Sequence, residues 1–252
     1  ESQGVLPAFQ IAELSYKDGI YYFSGGGYDL QSSKPIRLVP NYLDNYFTIS
    51  GYKRAVTWQG KSNFNSYRGI FEYRFSEISK MPYIINELSL DSYIAGVAET
   101  TDGGAPEFVK ALLIAARSYA YSSIDARGPD GGADIFDVFG STVDQLYLGY
   151  DSELLMPKVG EAQQATYGIL VTYNHNPVST PYFGHSNGYT RTRKQAWGGN
   201  DQPWLKSVEC KYDKSLSMYG HGVGMSTRDA GLRALKDGWK FVQILQYYYS
   251  GV

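Results

Sequence analysis

The stretch from Pro106 to Tyr121 constrains this chain more than any other. Pro106 suits the first turn of a helix, and the Ala-rich run after it favours helix throughout. Phe108, Leu112, Ala115 and Tyr119 share one face at helical spacing. Lys110, Ile114, Arg117 and Tyr121 share another. Between the two cations, Ala111 to Ala116 is apolar at every position, so the helix is apolar nearly all round. Such a helix belongs in a core. A cation carried into a core needs a partner, and a cleft carboxylate such as Glu99 or an anionic substrate group would serve.

The flanking sequence predicts an α+β fold with a mostly antiparallel sheet. Residues 1–82 read as a β-rich N-terminal lobe, with strands at Gly19 to Phe23 before the Gly25-Gly26-Gly27 turn, Ile36 to Val39, Tyr46 to Ile49 and Tyr67 to Phe75. Residues 83–252 form the α+β region that carries the chemistry, in one continuous domain overall. Ser89 caps a short helix from Leu90 towards Val97, and Thr100 to Gly104 form a loop. A Gly/Asp-rich loop spans Gly128 to Ala133. A helix from Glu161 to Tyr167 precedes a strand from Gly168 to Tyr173. The turn Asn174-His175-Asn176-Pro177 then leads into Val178 to Phe183 as a hairpin. Thr227 to Tyr249 is helical, broken near Gly238.

Charge and length exclude several functions. With 252 residues and a formal net charge of -2, interspersed in sign, the chain offers no basic face for nucleic acid. Its longest apolar runs, such as Ala111 to Ala116 and Ile169 to Tyr173, are far too short to span a bilayer. Cys210 stands alone, so no intrachain disulfide forms. A start at Glu1 suits a trimmed secretory precursor or a cut fragment equally. The 24 Tyr and 4 Trp supply flat apolar faces with polar tips, which suit sugar rings and equally suit strands.

Two loops could carry chemistry. Gly184-His185-Ser186-Asn187-Gly188 fits the nucleophile elbow of a serine hydrolase, with Asp213 and His221 following in the right order. However, Tyr189 to Arg193 forms no convincing helix after it. Gly220-His221-Gly222-Val223-Gly224-Met225-Ser226 lets backbone approach a ligand closely, and the next helix points free N–H groups back at it. A sugar hydroxyl or a carboxylate would suit those donors, and so would a tight turn with His221 bonded inside it. Three His and one Cys, widely scattered, are too few for a structural zinc site.

In chain order, these pieces resemble the stage II sporulation protein D family, which includes peptidoglycan lytic transglycosylases and the related amidase enhancers. The resemblance rests on Ile85 to Val97 with Glu99, Lys110-Ala111, Ala115 to Ala120, Ala165 to Asn174, Tyr182-Phe183 with Ser186, Trp197-Gly198-Gly199 and the Gly220 to Ser226 loop. It implies a curved, cleft-bearing structure acting outside the cytoplasm on peptidoglycan glycan strands, with other wall hydrolases as possible partners. It implies Glu99 as the single catalytic acid/base, giving 1,6-anhydro-muramyl ends. Lys110, Arg117 and Tyr182 are implied in the same cleft, and Ser186, His221 and Ser226 complete the expected substrate-binding set. A non-catalytic glycan-binding protein, like the amidase enhancers, is the alternative, and a serine hydrolase using Ser186 stands behind both. The chain departs from the family pattern at Thr100-Thr101, at His185, Asn187, Tyr189 and Arg191, and at Thr227. Neither Cys nor His precedes Leu146-Tyr147, where some relatives bind zinc, so neither metal nor cofactor is expected.

Overall fold

A computed structural model describes residues 4–56, 63–127 and 135–252. The Gly128 to Ala133 loop lies outside the described residues. The chain is α+β, built as several small sheets around one buried helix rather than on one large sheet.

The N-terminal strands β1 (Ala12–Lys17), β2 (Ile20–Gly25) and β3 (Tyr28–Ser32) form an antiparallel meander. Next come β4 (Ile36–Leu38), β5 (Tyr46–Thr48), β6 (Ser66–Arg68), β7 (Ile70–Ser76) and β8 (Met81–Glu87). The strand expected over Tyr67 to Phe75 is broken at Gly69, which sits at φ +83. A Cβ there would stand 2.5 Å from the Glu87 carbonyl oxygen, so only glycine fits. The break sends the two halves to different partners. β6 pairs with β5, whereas β7 lies between β4 and β8. β8 runs through positions 82 and 83, so a paired strand joins the N-terminal β-rich lobe to the helical region after it. Phe64, Tyr67 and Phe71 also share one core with the central helix.

Helix α1 (Leu90–Ala95) starts where expected, with the Ser89 hydroxyl accepting from the Ser92 N–H. It ends at Ala95, two residues short of Val97, with Gly96 as its cap. Helix α2 (Pro106–Arg127) begins at Pro106 and runs past Tyr121. Ala111, Leu112, Leu113, Ile114, Ala115 and Ala116 are all fully buried. The helices that bury α2 are α1, α4 (Pro157–Ala165), α6 (Thr227–Asp237) and α7 (Phe241–Tyr248). Helix α4 starts four residues before the expected Glu161, because Pro157 occupies its first turn. Helix α3 (Tyr150–Leu155) precedes α4, and α5 (Arg193–Trp197) opens with a capping box at Thr192 and Gln195.

The expected hairpin forms, but it is shorter than the sequence suggests. β9 (Thr172–Tyr173) pairs with β10 (Asn176–Pro177) across Asn174 and His175, both at positive φ. Val178 N–H still donates to the Val171 carbonyl at 3.1 Å, but the chain beyond it does not return along β9. Instead β11 (Tyr182–Phe183) pairs in parallel with β12 (Met225–Ser226), far along the chain. Gly224, at φ +77, makes this pairing possible, since a Cβ there would overlap the Pro181 carbonyl oxygen. Gly224→Ala therefore combines backbone strain with a clash. It is expected to cost about 2–3 kcal/mol, read as a lowered melting temperature by calorimetry.

Candidate active site

Glu99 is placed by a short crossing of two backbone segments. After α1 the chain extends, and Val97 bridges Tyr147 in antiparallel register. Ala98 N–H donates to the Leu146 carbonyl at 2.8 Å, and Leu148 N–H donates to the Gly96 carbonyl at 2.9 Å. The Tyr147 ring lies on Tyr93 at 5.0 Å and against Gly96, where a Cβ would come within 2.5 Å of it. This locked crossing turns the Glu99 side chain back so that Oε1 accepts the Leu146 N–H at 2.7 Å. Among the described residues none donates to Oε2, and that oxygen is not sealed from solvent.

Burial raises the Glu99 pKa, and the Leu146 N–H opposes it. Burial wins because no cation among the described residues acts on this carboxyl. Lys110 and Arg117, the two cations expected beside it, have other partners.

The residue preceding Leu146 holds a second group. Gln145 is fully buried, and its Nε2 donates to the Tyr182 hydroxyl at 3.0 Å and to the Ala116 carbonyl at 3.1 Å. Its Oε1 accepts from the Tyr93 hydroxyl at 3.0 Å. Burial, and then the Glu99 charge, raise the Tyr182 pKa well above its usual value, so its phenol keeps its proton. Tyr93 is raised as well, first by burial and also by Tyr147 and Glu99. The structure thus brings Glu99 and Tyr182 together through consecutive residues of one segment. Gln145 and Tyr93 join them without having been singled out as site residues. A lone Gln carries no spacing signal, and Tyr93 sits inside a motif whose separate roles are unreadable.

The remaining candidates are held by other partners. Lys110 pairs with Glu107 at 2.9 Å, one turn back on α2. It lines a groove of about 430 Å³ with Asp102, Lys158 and Glu161. Arg117 is buried as expected, at 1% exposure, but its guanidinium pairs with Asp91 at 2.8 Å rather than Glu99. It also donates to the Ile169 carbonyl at 3.3 Å. Arg117 is a core tie between α1 and α2.

His221 is likewise engaged within the fold. Its Nδ1 accepts from the Val223 N–H at 3.0 Å, which leaves Nε2 to donate to the Tyr182 carbonyl at 3.0 Å. Burial lowers its pKa, so the ring is neutral and both nitrogens are used by backbone. It holds the glycine loop to β11, with Trp197 at 4.9 Å from its ring.

Ser186 and Ser226 share one buried carboxylate. Oδ2 of Asp213 accepts the Ser186 N–H at 2.9 Å, the Ser186 hydroxyl at 3.1 Å and the Ser226 hydroxyl at 2.7 Å. Ser226 also caps α6. All three side chains are fully buried. A catalytic triad would interpose imidazole between serine and aspartate, and here they touch directly, so the order Ser186, Asp213, His221 is not a triad. Ser186→Ala is expected to cost about 1–2 kcal/mol of stability. A serine-directed phosphonate should not label the wild type.

Residues 79–173 match the family model described as stage II sporulation protein. This segment is similar to the stage II sporulation protein D family. Stage II sporulation protein D of Bacillus subtilis (strain 168) is 30% identical over 146 residues, which are 54% of this chain and 42% of that protein. Stage II sporulation protein D of Bacillus amyloliquefaciens is 29% identical over 147 residues, with the same two shares. The match thus spans about two fifths of the length of these relatives.

Tyr93, Glu99, Lys110, Arg117 and Gln145 lie inside the stage II sporulation protein segment, whereas Tyr182, Ser186, His221 and Ser226 lie beyond it. No helix among the described residues is long and apolar enough to cross a membrane. Among the described residues, no group of three or more His, Cys, Asp or Glu side chains is placed to hold a metal ion.

Proposed function

We propose that this chain cuts β-1,4 bonds in peptidoglycan glycan strands as a lytic transglycosylase, with Glu99 as acid and then base. The observation that carries this reading is a single desolvated carboxyl, held by one oxygen and open at the other, with no charged neighbour among the described residues acting on it. Ordinary glycosidases use two carboxylates, one to protonate the leaving oxygen and one to attack or to activate water. One carboxyl suffices if the nucleophile belongs to the substrate.

Protonated Glu99 donates its proton to the glycosidic oxygen. The bond from that oxygen to muramic C1 breaks, and its electron pair leaves with the oxygen. The sugar left behind has oxocarbenium character. Ionised Glu99 then takes the proton from the C6 hydroxyl as that oxygen bonds to C1, closing a 1,6-anhydro ring. Glu99 ends protonated, and no water is consumed. Because attack is intramolecular, no positioned water is needed. Such a substrate places the protein outside the cytoplasm, beside other wall hydrolases.

The pH dependence follows from the acid form. Burial keeps Glu99 protonated to higher pH than a free glutamic acid. On peptide-free glycan, kcat/KM is therefore expected to fall about tenfold per pH unit above the raised pKa, along an alkaline limb lying above the usual Glu range. Counting anhydro-muramyl ends by mass spectrometry across pH tests this. A flat profile from pH 4 to 8 contradicts it. Strands that stay intact while binding the protein leave non-catalytic wall adhesion, as in the amidase enhancers.

A further inference from the structure

We propose that Gln145 is a positioning residue that fixes Tyr182 as a hydrogen-bond donor facing Glu99 and the sugar bound there. The inference rests on the reading of Glu99 as acid and base, and it turns on hydrogen-bond direction. The Ala116 carbonyl can only accept, so the Gln145 atom facing it at 3.1 Å is the amide nitrogen. That assignment turns Oε1 toward Tyr93, whose hydroxyl must donate to it. It also makes the Tyr182 oxygen accept the second amide proton. Tyr182 has then used its acceptor toward Gln145, and its own proton is left for another group.

The neighbouring backbone fixes which carboxyl is held beside it. Residue 145 holds Tyr182 through its side chain, and residue 146 holds Glu99 through its amide N–H. One segment therefore sets the separation of phenol and carboxyl. Val97 and Tyr147, with the bonds on either side of their bridge, lock that segment against the end of α1. Among the described residues the Tyr182 hydroxyl makes no hydrogen bond to Glu99, so in the free protein its dipole acts on the carboxylate only through space and its proton stays free for a bound group. With substrate bound it is directed to a sugar oxygen, where it orients the ring for proton transfer. Neither role requires Gln145 itself to touch the substrate.

The test titrates Glu99 directly and needs no turnover. The protein is labelled with ¹³C at the glutamate carboxyl carbons, and the Glu99 signal is assigned by its loss in Glu99→Gln. Tyr182→Phe removes the donor and keeps the ring, while Gln145→Met keeps the volume and removes the amide. Each is expected to move the Glu99 midpoint upward by a similar amount, and the double variant no further. Gln145→Met is also expected to lower kcat on the order of 10²-fold, with KM little changed. Should Gln145→Met not fold, Gln145→Asn, which draws the amide back by one methylene, carries the same expectation. A Glu99 midpoint unmoved by both changes overturns the proposal. Additive shifts do so as well, because they would show the two residues acting separately. Absence of turnover in the wild type would instead defeat the transglycosylase reading, and the titration would still decide the role of Gln145.

Discussion

Glu99→Gln is expected to slow release of 1,6-anhydro ends by about 10²–10⁴-fold while leaving the protein folded. The amide has the shape of the carboxyl, and its oxygen can go on accepting the Leu146 N–H. What it lacks is a group that can give up a proton and then take one back, which the two halves of the proposed reaction require in turn. The stability control has a definite sign. Burial raises the folded pKa of Glu99 above that of the unfolded chain, so the folded state holds the proton more tightly. Stability contributed by this group is present below the unfolded pKa and is lost as pH rises through the folded pKa. At pH 7 the variant, with nothing to ionise, is expected to melt no lower than the wild type. Timed mass spectrometry of peptide-free strands, with calorimetry alongside, reads both effects. Undiminished release by Glu99→Gln would assign the acid elsewhere.

Arg117→Met carries the second large effect, and it falls on stability. The substitution leaves Asp91 facing the core without the guanidinium that neutralises it. Removing one partner of a buried ion pair costs about 3–5 kcal/mol, because the other charge stays behind unpaired. The Asp91 side chain is 18% exposed and also accepts from Gln163 at 3.4 Å, so the lower end, about 3 kcal/mol, is expected. For a chain of this size that lowers the melting temperature by roughly 6–12 °C. Below the transition, kcat and KM should stay near wild type. The opposite pattern, a raised KM with unchanged melting, would return Arg117 to the substrate.

Arg117 also marks where reading by pattern gave way to packing. The apolar run from Ala111 to Ala116 foretold a buried helix, and Arg117 buried with it. Helical periodicity says which face a cation occupies. It does not say which carboxylate meets it, and Asp91 lies 26 residues away. Likewise, the glycine loop was legible as a place where backbone comes close. Its close contact is the protein's own β11, and His221 bonds that strand.

What the amino-acid order determined by itself is local. It set the Ser89 cap, the start of α2 at Pro106, the turn at Asn174 and His175, and the end of α6 at Gly238. Each depends on one residue's backbone preference or on a period of a few residues, and neither needs a distant partner. Tertiary structure alone decided that Gly69 would split one strand between two sheets and that Leu146 would hold Glu99 from 47 residues away. It also decided that Gln145 would reach Tyr182 across 37 residues. Those pairings come from how the chain closes around α2, because a buried polar group takes the partner that packing brings within reach.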